Sequence, residues 1–196
     1  MGRVTLRAGA LLSPAPAALV SCAFGDKQNI LTVAWCGITC THPAMTYVSI
    51  RPERYSHSLI KESGEFVINL TGEALCRAAD YCGMYTGAKV NKFEKCGLTS
   101  IASESVGAPT VAEAPLSLEC KVKEILPLGS HDMFLAEITA VTVREELLDE
   151  KGRLCLEKAG LITYAHGEYY ALGRRLGKFG FSAVKKGKNR KTTGKK

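Results

Sequence analysis

The sequence predicts a mainly β fold, a β-barrel with flanking helices. Short apolar stretches rich in β-branched and aromatic residues recur along the chain. Turn-formers such as Gly25-Asp26-Lys27 and Gly129-Ser130 separate most of them, and only two segments carry helical spacing. Strands with few helices favour a decorated barrel over a doubly wound sheet, which needs the two in alternation.

Taken in order, the chain opens with Arg3 and Arg7 before an apolar run, and 19–22 imitates the cleavage box of a lipoprotein signal. Pro14 and Pro16 interrupt the apolar helix such a signal requires, so this start reads as a loop running into a first strand. Strands are expected at 18–24, 30–36 and 45–50, then a helix at 56–63 with Ser56 as its cap. A strand at 66–70 precedes a second helix at 72–81, where Leu75, Ala78 and Ala79 recur at helical spacing. Strands follow at 116–126, 134–144 and 162–165. Beyond Gly180 apolar residues nearly vanish, which predicts one domain over 1–181 and a basic, disordered tail over 182–196.

The formal charge of +7 comes from that tail, whose last twelve residues hold six Lys and one Arg. Without those seven, 19 basic residues face 19 acidic ones. A neutral body argues against a nucleic-acid-binding face. Eight Cys in 196 residues are too sparse for a secreted disulfide scaffold, so reduced thiols in the cytoplasm are expected. No apolar run approaches the roughly 20 residues that span a bilayer, and no membrane association is expected.

Several chemistries lack their motifs. Cys36 and Cys40 have three residues between them, one more than a thioredoxin pair, and no helix pattern follows. No CxxC occurs and His42, His57, His131 and His166 are scattered, so no metal site is expected. The late glycines 173, 177 and 180 miss the dinucleotide spacing, and neither a Walker lysine motif nor a nucleophile elbow is present.

Polar residues do gather at strand ends. The strand 29–35 has a polar start at Asn29 and a small-residue middle, so its backbone can lie against a flat ligand. Ser49-Ile50-Arg51-Pro52-Glu53-Arg54-Tyr55-Ser56-His57-Ser58 sets two guanidinium groups and several hydroxyls around a strand-to-helix turn, an environment suited to a phosphate. Lys92, within Val90-Asn91-Lys92-Phe93, is a third cation with apolar neighbours.

In this order, these segments resemble the flavoredoxin and flavin reductase-like family. Pro14-Ala15-Pro16, Gly64-Glu65-Phe66-Val67-Ile68-Asn69-Leu70, Glu113-Ala114-Pro115-Leu116 and Tyr169-Tyr170-Ala171-Leu172-Gly173 add to the likeness, which runs from Pro14 to Phe181. The resemblance implies an FMN-binding split barrel that forms homodimers. It implies that Asn29, Ile30, Leu31, Thr32, Val33 and Ala34 line the isoalloxazine and ribityl chain, through backbone and through Asn29 and Thr32. Ser49, Arg51, Arg54 and Ser56 would surround the phosphate with help from Lys92, and His131 would stand near the ring. Arg54 is the poorer candidate for direct contact, since from solvent it would act only as long-range potential, and Asn91 stands where many relatives carry Asp.

Because the flavin carries hydride and electron chemistry, no acid/base pair is needed. The implied activity is NAD(P)H-dependent flavin reduction, with NADH or NADPH as donor and an unknown acceptor. One alternative is a flavoredoxin-like electron-transfer protein reduced by a protein partner. Another, of a different class, is a module binding nucleic acid or an acidic partner through the tail.

Overall fold

A computed structural model describes residues 1–183. The expected tail lies, from residue 184 on, outside the described residues. Strand follows strand from β1 (Ala15–Pro16) and β2 (Ala18–Phe24) to β3 (Lys27–Val33), β4 (Cys36–Thr41) and β5 (Ala44–Ile50). Helix α1 (Tyr55–Ser63) leads to β6 (Glu65–Asn69), and α2 (Cys76–Met84) and α3 (Lys92–Cys96) follow. Short β7 (Ser100–Ile101) and β8 (Thr110–Val111) precede the long hairpin of β9 (Leu116–Pro127) and β10 (Asp132–Val143). The hairpin β11 (Ile162–Ala165) and β12 (Glu168–Ala171) pairs with β1 in a separate sheet.

The main sheet has seven strands in the order β3-β2-β6-β9-β10-β5-β4, with every pairing antiparallel. Its two edge strands, β3 and β4, are consecutive in the chain and separated only by a bend at Ala34 and Trp35. The ends of the sheet must therefore meet at that bend, where the Ser49 amide donates to the Trp35 carbonyl at 2.9 Å. This is a split barrel, and the bend is its seam. The apolar run expected as one strand over 30–36 is thus two strands and a corner. Apolar periodicity continues through the corner because both flanks face the core, so the sequence pattern does not mark the break.

Alternation along β2 and β3 feeds two cores. Val20, Cys22, Leu31 and Val33 point into the barrel with Val48, Ile50, Phe66 and Phe134. Leu19 and Ile30 point the other way, against Leu75, Ala79 and Cys82 at α2 and Phe93 of α3. Burial on both faces explains why these strands read as nearly unbroken apolar runs.

The helices differ in detail from expectation. Helix α1 starts at Tyr55 with Arg54 at the N-cap, and Ser56, expected as the cap, lies buried in the first turn. Gly64 ends the helix at φ 69°, a left-handed conformation that costs glycine little. The second expected helix begins as a short 3₁₀ turn and runs on to Met84. The third helix was not anticipated; its five residues are too few for a periodic signal, but Asn91 caps it by accepting from the Glu94 amide at 3.3 Å. Asp would serve equally at that position.

Candidate functional site

A groove follows the seam beside β3. At one end, a cavity of about 370 Å³ is lined by Asn29, Leu31, Arg51, Arg54, Ser56 and Lys92, with Glu53, Tyr55, Tyr85, Thr86 and Gly87 completing its wall. A smaller cavity of about 140 Å³ continues it past Leu31, Thr32, Val33, Ala34 and Trp35 to Ser49 and His131. Leu31, Arg51 and Arg54 border both. Eleven of the twelve residues singled out in the sequence therefore line one continuous groove. Ile30 is the exception: strand alternation turns its side chain into the second core, leaving only its backbone on this strand.

The wide end is built for an anion. Lys92 is buried, and its ammonium donates to the Cys82 carbonyl at 2.8 Å. No carboxylate pairs with it among the described residues. Burial pulls its pKa below the usual lysine value, the neighbouring Cys82 opposes that shift, and the Arg54 charge adds to it. The first turn of α1 opens on the same cavity and contributes the positive end of its dipole. There Ser56 accepts from the Asn29 amide nitrogen at 2.7 Å, which fixes both side chains and leaves the hydroxyl hydrogen free to donate.

Arg54 is exposed, yet its guanidinium donates to the Gly83 carbonyl at 3.0 Å, which ties it across the groove. It also borders a third cavity of about 350 Å³, behind Thr32 and Ala34, walled by Met84, Tyr164 and Tyr169. Arg51 is half-exposed, with a loose 3.5 Å contact to Glu53. Thr32 donates its hydroxyl to the Ala79 carbonyl, so it can only accept from a ligand.

At the narrow end the rings of Trp35 and His131 lie 4.4 Å apart, centre to centre, tilted by 41°. Partial burial and then the Arg51 charge lower the His131 pKa, so the imidazole is neutral at pH 7. Trp35 remains about half-exposed at 47%. An aromatic pair beside small backbone at Val33 and Ala34 can meet the face or edge of a planar ring.

Sequence reasoning missed Trp35 and the segment Tyr85-Thr86-Gly87. Gly87 approaches Asn29 so closely that a Cβ there would sit 2.1 Å from the amide oxygen. Its signal was an isolated glycine after a helix, which gives no hint of the strand it meets 58 positions earlier. Tyr55 and Glu53 were in the quoted motif, but their contribution to the wall depends on how the turn folds.

A split barrel with a cation-rich pocket at one end of its seam and an aromatic pair at the other defines a protein shaped for a flat ligand carrying a phosphate. The chain belongs to the family of the flavin reductase like domain, whose model matches residues 11–173. A flavoredoxin of Desulfovibrio vulgaris (Miyazaki F) superposes with a TM-score of 0.86 at 34% identity, covering 93% of this chain and 100% of that one. An uncharacterized protein of Archaeoglobus fulgidus is 37% identical over 126 residues, 64% of this chain and 71% of its own. The FMN reductase (NADH) RutF of Pseudomonas syringae is 24% identical over 117 residues, 60% of this chain and 63% of its own.

FMN fits the residues present. A phosphate would compensate the charge of Lys92, and an elongated flavin would match two cavities joined end to end, within the size range of small-molecule sites, about 300–1,000 Å³. Among the described residues no helix is long and apolar enough to cross a membrane.

Proposed function

We propose that the protein is an FMN-dependent flavin reductase that takes hydride from NADH or NADPH and passes electrons to a further acceptor. The observation that carries this reading is a buried lysine with no carboxylate partner among the described residues, facing a helix N-terminus in a groove that leads to an aromatic pair. Bound FMN supplies hydride acceptance and electron storage. The chain's own task is to hold and orient it. Lys92, Arg51 and Arg54 would neutralise the phosphate, Ser56 would donate to it, and the backbone of 31–34 would support the ring. Neutral His131 offers one ring nitrogen at the ring edge, while its Nδ1 lies 2.9 Å from the Ser130 hydroxyl. The cavity behind Thr32 and Ala34, with Tyr164 and Tyr169, leaves room for a nicotinamide on the open face.

Two associated expectations join this reading. A homodimer is supported by the exposed edge strand β4, which carries Ile38 at 63% exposure beside Trp35. A cytoplasmic setting is supported by eight free cysteines.

The closeness of the flavoredoxin likeness favours a second reading, in which a protein partner and not a nicotinamide delivers the electrons. Anaerobic titration of the FMN-loaded protein separates the two. Bleaching of the flavin band by stoichiometric NADH or NADPH is the expected result. A yellow protein that neither bleaches supports the partner-reduced reading, and a protein that takes up no FMN defeats both.

A further inference from the structure

A cavity of about 600 Å³ lies on the far side of α2 and plays no part in the groove. Arg77, Lys95 and Arg144 bring three cations to it. Its single acid, Glu113, is already engaged, with both oxygens 3.0 Å from the Thr99 amide. Arg144 contacts the exposed Glu146, whereas Arg77 and Lys95 have no ion pair among the described residues. Cys96 opens into this cavity, and behind it stands buried Cys82, sulfur to sulfur at 3.9 Å.

We propose that Cys96 and Cys82 form a dithiol site that exchanges with a small anionic disulfide admitted by this cavity. Cys96, as thiolate, attacks one sulfur of the small disulfide. The disulfide bond breaks, a mixed disulfide forms on Cys96, and the first small thiolate leaves and takes a proton from water. Cys82, after losing its proton to solvent, attacks the Cys96 sulfur, and the second small thiol departs. Two protein thiols are oxidised and one disulfide is reduced to two thiols. Cys96 is the entry point because it reaches the cavity, while burial pushes the Cys82 thiol up to about 12 and reserves it for the intramolecular step.

The geometry couples this bond to the groove. Lys92 and Cys96 bracket α3, and the carbonyl that holds Lys92 belongs to Cys82 itself. Drawing the sulfurs from 3.9 Å to the about 2.05 Å of a disulfide shifts α3 against α2 and with it the ammonium that faces the phosphate. This consequence rests on the FMN reading; the bond does not.

The test treats the full-length protein with oxidised glutathione, maps disulfides by peptide mass spectrometry, and titrates FMN and riboflavin before and after. Exposed Cys40 serves as the internal reference. A Cys82–Cys96 bond reversed by dithiothreitol is expected, with FMN weakened by about tenfold and riboflavin unchanged. Cystamine, a cationic disulfide, should form the bond more slowly relative to its reaction at Cys40. Cys96→Ser should abolish both the bond and the change in affinity. Glutathionylation of Cys40 without a Cys82–Cys96 bond overturns the site, and equal relative rates with cystamine overturn the role of the cations. Unchanged FMN affinity after the bond forms overturns the coupling. If the reduced protein binds no FMN, the flavin reading fails, and disulfide mapping still decides the dithiol site.

Discussion

The Lys92 ammonium donates to the Cys82 carbonyl across 2.8 Å, joining the first residue of α3 to the last turn of α2. A carbonyl is a partial counter-charge, so the lysine remains a buried cation without its own anion, an arrangement that costs free energy until a ligand completes it. Lys92→Met removes the charge and keeps the length. The apo protein should melt no lower than wild type, while FMN affinity falls by about 1.5–3 kcal/mol, or roughly one to two decades. Riboflavin, which lacks the phosphate, should bind both proteins alike. Equal losses for the two flavins, measured by fluorescence titration, would place the phosphate elsewhere.

The same lysine sets a pH dependence. Its folded pKa is lowered, mainly by burial, so the charged form is penalised in the fold. Below the folded pKa that penalty is fully present. It is relieved as pH rises from the folded pKa toward the ordinary lysine value of 10.5. Apo stability relative to Lys92→Met should therefore improve across that alkaline interval. FMN affinity should fall over the same interval, because binding requires the ammonium. Taking the difference between wild type and variant in urea melts and titrations removes the contributions of the other thiols and tyrosines.

Gly87→Ala tests the groove wall without touching a charge. The new Cβ would lie 2.1 Å from the Asn29 amide oxygen and 2.4 Å from its carbon. Asn29 must swing away and give up its 2.7 Å hydrogen bond to Ser56. Overpacking and the lost bond together should cost about 1–3 kcal/mol of stability. FMN and riboflavin should both weaken, because the displaced side chain enters the groove. A variant with wild-type melting and wild-type affinity for both would show that the loop yields instead.

His57 on α1 meets Asp132 at the start of β10 with a nitrogen-to-oxygen distance of 2.8 Å, and its ring packs edge-on against Phe134. This contact fixes the helix that carries Ser56 against the strand that follows His131. Asp132→Ala leaves a buried imidazole without its partner and should cost about 1.5–3 kcal/mol in urea unfolding. Asp132→Asn keeps a hydrogen-bonding group and should cost less. A loss as large for Asn as for Ala would assign the effect to charge and not to the bond.

Much of this protein was legible in the residues. Turn-formers and apolar runs located β2, the β9–β10 hairpin and β11 closely, because each is punctuated by a local turn. Strand-end polarity and clustered guanidiniums marked 29–34 and 49–56, since anion sites at helix starts use residues that lie near one another in sequence.

What the sequence could not carry was whatever depends on distant segments meeting. The corner at Ala34 and Trp35 has no turn residue and shows only when the two sheet edges close on each other. Arg54's anchor on Gly83 and the contact of Gly87 with Asn29 join positions far apart in the chain, and the Cys82 carbonyl and sulfur reach Lys92 and Cys96 only because two neighbouring helices pack together. Local propensity determined the elements and the chemistry available at their ends. Only burial in a closed barrel decided which side chains lost water, which found partners, and which cation was left waiting for an anion.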